Sequence, residues 1–170
     1  MPDTISKTSG LASDDLGNAT SETQFTNSSG SLVTLQIPVS AANLNKPLRV
    51  IAGGRVISGA SNTFTGKLYF GNSTTVASNA LVETEAVTLT ASTQQIWLVE
   101  AIISVTDANS SEPGTIALSF LNPSGTAGGS TTTNDPALLV AVLNVTGQFT
   151  SSDSSNAAYL DFFEIQSVVS

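Results

Sequence analysis

Three features of the sequence predict an all-β chain, folded as an antiparallel two-sheet sandwich of jelly-roll type with about eight strands. Ser, Thr, Gly and Asn are abundant, and Ser, Thr and Asn side chains compete with a helix for its backbone hydrogen bonds. Leu, Val, Ile and Phe recur in short runs with a period of two, the spacing that gathers alternate side chains on one strand face. Turn-forming connectors separate these runs, and no segment carries the pattern of a helix longer than two turns.

Residues 31–38 alternate Leu and Val with Thr and Gln. Residues 48–58 set Leu48, Val50, Ala52 and Val56 on one face and Arg49, Ile51, Arg55 and Ile57 on the other. Gly53 and Gly54 interrupt this run, as glycines do at a bulge or where another backbone passes close by. Residues 64–70 alternate Phe64, Gly66, Leu68 and Phe70 with Thr65, Lys67 and Tyr69. Residues 80–89 are less regular. Residues 95–106 are the clearest, with Trp97, Val99, Ala101, Ile103 and Val105 on one face. Runs at 114–121, 137–146 and 159–169 complete the set. Residues 40–45 suit one short helical turn, and the Gly/Thr/Ser-rich stretch 122–135 reads as a surface loop. An immunoglobulin-like sandwich is the rival architecture, but the cysteine pair that would mark it is absent.

Residues 1–24 differ in composition from the rest. Ile5, Leu11 and Leu16 are their only sizeable apolar residues, too few to offset the entropy of ordering alone. This segment is either a tail or an extended arm. We expect an arm lying on a neighbouring subunit, followed by the sandwich domain at 25–170.

Charge narrows the function. Five Lys and Arg stand against thirteen Asp and Glu, for a net charge of -8. Lys7, Lys46, Arg49, Arg55 and Lys67 are too few and too scattered to neutralise a row of phosphates, so no nucleic acid is expected as partner. The acidic excess argues equally against anionic membrane surfaces, and no apolar run approaches the ~20 residues of a spanning helix. Residues 1–10 lack the apolar core of a secretory signal, which points to synthesis in a cytoplasm.

The sequence also withholds the usual catalytic groups. There is no histidine and no cysteine, so Ser-His-Asp and Cys-His arrangements cannot be built. Glu83 and Glu85 would stand ~7 Å apart on one strand face, near the span used in glycoside hydrolysis, yet with Thr84, Ala86 and Thr88 around them they read as a solvated face. Lys67 reads as a solvent-facing strand residue rather than a desolvated base. Asp107, Asn109 and Ser111 mimic the start of a calcium loop, but Glu112 replaces the required glycine and Leu118 the closing glutamate. Asn-x-Ser/Thr sequons begin at Asn18, Asn27, Asn72, Asn109 and Asn144, about as often as so Ser/Thr-rich a chain produces by chance. We therefore expect no catalytic residue, no metal and no cofactor.

Candidate functional residues are instead those of an interface. Leu138, Leu139, Val140, Val142 and Leu143 form a nearly continuous apolar run, the mark of a strand buried on both sides. One side belongs to the core. The other faces either a second subunit, expected as a homotrimer contact, or a loop of its own chain. Tyr159, Phe162, Phe163, Ile165 and Val168 offer a second such surface. Glu100 lies in the most apolar strand, where a partly buried carboxylate needs a partner. Arg49 or Arg55 can supply it across the sheet or across a subunit interface, unless Glu100 is exposed on an outer face.

Residues 46–71, KPLRVIAGGRVISGASNTFTGKLYFG, continue through STTVASNAL (73–81) to QQIWLVEAIISV (94–105). This stretch resembles a pattern in structural proteins of tailed-bacteriophage virions, notably jelly-roll capsid decoration (cement) proteins. The resemblance spans about residues 30–121, and its motifs are structural. It implies a non-enzymatic, frequently trimeric β-sandwich on the capsid exterior, bound non-covalently to the major capsid protein or other virion proteins. A tail or baseplate component and a carbohydrate-binding host-attachment sandwich are the alternative readings. If residues 1–24 are an intersubunit arm, deleting them should weaken assembly, and sedimentation of the truncated chain measures this directly.

Overall fold

The computed structural model of the protein describes residues 4–8, 15–38, 47–71, 80–83, 87–104, 117–118, 129–130 and 140–167. Its strands are β1 (Thr4–Thr8), β2 (Thr23–Gln24), β3 (Thr34–Pro38), β4 (Pro47–Ile57), β5 (Asn62–Gly71), β6 (Ala80–Glu83), β7 (Val87–Leu89), β8 (Gln95–Ser104), β9 (Ala117–Leu118), β10 (Gly129–Ser130), β11 (Val140–Phe149), β12 (Ala157–Ala158) and β13 (Phe162–Ser167). The runs at 137–146, 114–121 and 159–169 are thus described only in part, and the stretches at 40–45 and 107–112 lie outside the described residues.

Two antiparallel sheets pack face to face. In the first, β13 lies between β1 and β4, and β4 pairs with β8 along its other edge; β12 extends the β13 side of β4. In the second, β11 is central. It pairs with β5 on one edge and with β3 and β2 on the other, while β6 and β7 continue the sheet beyond β5. The short strands β9 and β10 form a separate ribbon.

The alternation read from the sequence is the alternation that builds the core. Leu48, Val50, Ala52 and Val56 of β4 and Trp97, Val99 and Ala101 of β8 point inward from the first sheet, with Phe163 and Ile165 of β13. Phe64 and Leu68 of β5 and Leu143, Val145 and Phe149 of β11 meet them from the second. Arg49, Ile51, Arg55 and Ile57 take the opposite face of β4, half-buried or exposed.

Trp97 occupies the middle of this core. Its ring stacks on Phe25, 5.5 Å between centroids and 10° between planes, and tilts against Phe64 at 5.6 Å. Burying an indole is worth on the order of 5 kcal/mol of apolar transfer, provided that its N–H finds an acceptor. Trp97 Nε1 donates to the carbonyl of Tyr159 at 3.0 Å. That carbonyl is available because the chain bulges there. Ala158 pairs with Val56 but Phe162 pairs with Gly53, so residues 159–161 face only Gly54 and Arg55. A Cβ on Gly54 would lie 2.2 Å from the Tyr159 oxygen and 2.7 Å from the Asp161 nitrogen. The interruption at Gly53–Gly54 is therefore the site of a bulge on the neighbouring strand. Gly66 makes room in the same way for the indole, since a Cβ there would stand 2.9 Å from Trp97 Cε3.

The described part of residues 1–24 lies on its own chain. β1 pairs with β13 in the first sheet, and β2 pairs with β11 in the second. Between them Leu16 packs against the core and donates its N–H to Ala158 O at 2.9 Å.

An alanine at a free strand position gains about 0.5–1 kcal/mol over glycine. Gly66→Ala should reverse this sign and cost roughly 1–3 kcal/mol, because the rigid indole cannot yield. Urea unfolding of the two proteins measures it.

Candidate assembly surface

The outer faces of the two sheets differ. On the first, the side chains opposite the core come from alternate positions of β4, β8 and β13. Cross-strand register places Arg49 between Ile102 and Gln166, Ile51 between Glu100 and Glu164, and Gly53 between Leu98 and Phe162. The result is an aliphatic surface crossed by ions. Ile51, Ile57, Leu98, Ile102 and Phe162 are half-buried, and Ile96 is 64% exposed.

Two arginines organise the charges of this face. Arg49 reaches diagonally across to β8, where Nε donates to Glu100 Oε1 at 2.6 Å and Nη2 to Oε2 at 3.0 Å. This fork-on-fork geometry is the strongest that a guanidinium makes with a carboxylate. Gln166 bridges onward from Arg49 to Glu164, to which its amide donates at 2.6 Å. Arg55 forks in the same way onto Asp161, with both contacts at 2.8 Å, and its guanidinium lies 4.8 Å above the Tyr159 ring. The partner that Glu100 needs is thus Arg49 of its own sheet. Arg55 is committed to the bulge instead.

The outer face of the second sheet is partly covered by residues 20–24. Glu22 lies over β5 and β11 and accepts from Tyr69 Oη, from Thr146 Oγ1 at 2.9 Å and from Lys67 Nζ at 3.2 Å. Gln24 donates to Asn144 at 2.8 Å. Burial pushes the Glu22 carboxyl up, but the hydrogen bonds from Tyr69, Thr146 and Lys67, with the lysine charge, outweigh it and hold the carboxyl below its ordinary value. Lys67 is therefore one side of an ion pair, and Glu83 stands in register opposite it on β6. Glu85 lies outside the described residues.

Of the apolar run proposed as an interface, Leu138 and Leu139 lie outside the described residues, and only the backbone of Val140 is described. Leu143 is in the core of its own chain. Val142 is on the opposite face and is also buried within the single chain, as are Asn144 and Thr146 beside it. Over the described part of β11, cover comes from the chain itself, where Glu22 and Gln24 bond to Thr146 and Asn144.

One end of the sandwich holds a polar cluster that the sequence reading missed. Asn62 donates to Ser151 O at 2.8 Å and to Asn156 Oδ1 at 3.2 Å, and Ser58 donates to the same Asn156 oxygen at 2.7 Å. Asn156 in turn donates to Asn18 and to Ser151 O. All three residues are buried, so each bond replaces water. In the sequence Asn62 and Asn156 stand in turn-rich stretches and Ser58 ends a strand run, and none differs from the other polar residues around it. Next to this cluster, Ser61, Asn62, Thr63, Thr88, Thr150 and Ser151 line a shallow depression of hydroxyl and amide groups. Two sequon asparagines have structural roles here, Asn18 in the end cluster and Asn144 buried under Gln24. Among the described residues, no three His, Cys, Asp or Glu side chains come together as a metal site.

Comparison with known proteins finds a likeness among solved structures. No family model matches the chain, and no curated protein matches it. Among solved structures, a chain from "Structure of infectious bursal disease virus Gx strain" superposes with a TM-score of 0.37 at 14% identity, covering 98% of this chain. The matched region spans 41% of that viral chain. The sandwich assignment itself rests on the strand pairing described above.

The Arg49–Glu100 pair is part-exposed, with side-chain exposures of 42% and 15%. A double-mutant cycle with Arg49→Met and Glu100→Gln should give a coupling of about 0.5–1 kcal/mol that shrinks as salt is added. A coupling near zero at low salt would show that the fork contributes nothing to stability.

Proposed function

We propose that the protein is a non-enzymatic structural subunit of a virion. In this reading it is a jelly-roll decoration (cement) protein that stabilises a phage head from outside through contacts with the major capsid protein. The observation that carries the reading is the outer face of the first sheet. There an exposed Ile96 and half-buried Ile51, Ile57, Leu98 and Phe162 surround ion pairs already closed within the chain. A face of this kind gives a partner apolar area without asking it to neutralise an unpaired charge.

Charge distribution supports the same face. Arg49 and Arg55 stand on this sheet with three acids, Glu100, Asp161 and Glu164, so the rest of the chain holds three cations and ten acids. Protein surfaces that share a net negative charge repel, and a face close to local balance is where they can approach at least electrostatic cost. Stabilisation then follows by mass action: a subunit that binds the assembled shell and not its free parts shifts the equilibrium toward the shell. The resemblance at residues 46–105 adds the expectation of a homotrimer.

The test is the mass of the purified protein in solution, alone and mixed with shells that lack it. A trimer that binds at fixed stoichiometry and raises the shell melting temperature is expected. Ile96→Asp, which places a charge in the apolar surface without touching the core, should reduce that binding at least tenfold. Binding to tails instead of shells would move the protein to the tail or baseplate. Binding to a cell-surface glycan and not to shells would replace the reading with an attachment module.

A further inference from the structure

Residues 15–25 run as a strap from one sheet to the other around the end of the sandwich. At its start Asp15 Oδ1 accepts from the backbone N–H groups of Ala158 and Gly17, and Leu16 donates to Ala158 O. Asn18 then bonds to Ser152, Asp153 and Asn156. Phe149 N donates to Ala19 O and Gln148 Nε2 to Thr20 O. At its end β2 joins β11 by only two residue pairs, and Phe25 enters the core under Trp97. Midway between the end cluster and the core, Glu22 ties the strap to β5 and β11 through three donors.

We propose that Glu22 is an acid-sensitive latch that holds this strap on the second sheet. A carboxylate accepts all three bonds at once; protonation halves its accepting character and removes the charge that Lys67 pairs with. Among the described residues, the titratable groups that face Glu22 are Lys67 and Tyr69, both on β5, and Lys67 has Glu83 of β6 in register on its other side. From β11 the strap meets Thr146, which does not titrate. The lowered carboxyl value of Glu22 sets the sign. Its contribution is complete above the ordinary carboxylate range and is lost as pH falls through the folded value. Acid should therefore open the strap before the core unfolds, because the core is apolar. The latch is a property of the single chain and does not depend on the proposed function.

Amide hydrogen exchange reads the latch directly. The N–H groups of Phe25, Phe149 and Leu16 each bond between strap and body. Their protection factors in the intact protein should fall by roughly tenfold or more between pH 7 and about pH 3, while those of β4 and β8 hold. Glu22→Gln should show the low protection at both ends of the range, and Asp15→Asn should keep the pH dependence of the wild type. Equal pH profiles for wild type and Glu22→Gln overturn the proposal, as does loss of protection in β4 and β8 in step with the strap. Where Glu22→Gln does not fold, Tyr69→Phe decides. Removing one donor from the carboxylate must move the wild-type transition to higher pH, and an unmoved midpoint overturns the latch.

Discussion

The indole of Trp97 stacks on Phe25, leans on Phe64 and donates its N–H to Tyr159. These three contacts come from three distant parts of the chain, and the first strand sheet, the second sheet and the strap converge on them. An unsatisfied indole N–H in the core would cost about 1–3 kcal/mol, so the bulge that offers the Tyr159 carbonyl is a requirement of the packing. The bulge in turn needs Gly54, because the Tyr159 and Asp161 backbone passes where a Cβ would be. Gly66 is needed on the opposite wall for the ring itself. A single bulky residue thus dictates the composition of two other strands.

Polar groups in this protein are spent on closing the ends and faces of that core. The ion pair Arg49–Glu100 joins two strands, Arg55–Asp161 ties β4 to the bulge before β13, and Lys67–Glu22 ties the strap to β5. Exposed pairs contribute little stability each. Their geometric effect is larger: they fix neighbouring segments and close both arginine charges on the outer face of the first sheet within the chain. The buried amides of Asn62 and Asn156 do comparable work at the end of the sandwich, where loops carry backbone groups that no strand can pair.

The two outer faces then diverge in use. Residues 20–24 lie against the second sheet, which carries hydroxyl, amide and charged side chains there: Thr146, Asn144, Tyr69 and Lys67. The first sheet presents Ile96 to solvent. This asymmetry is what recommends the first sheet as a surface for assembly and the second as the seat of a movable strap.

Period and composition alone determined that the chain is all-β, where β4, β5 and β8 lie and which of their residues face inward, because a strand's facing depends only on its own alternation; β11, read as 137–146, runs on to Phe149. They also offered a cation for Glu100, beside an exposed place on an outer face, and marked Gly53–Gly54 as a special backbone position. The choice of Arg49 over Arg55 was illegible, since it depends on β4–β8 register and on the bulge that draws Arg55 to Asp161. Nor could the sequence show that residues 15–24 rest on their own chain, because a short polar strap has no periodic signal and is held by partners more than a hundred residues away in β11 and in the loop before β12. Only tertiary structure brings those partners together, and only there do Glu22, Asn62 and Asn156 differ from the polar residues around them.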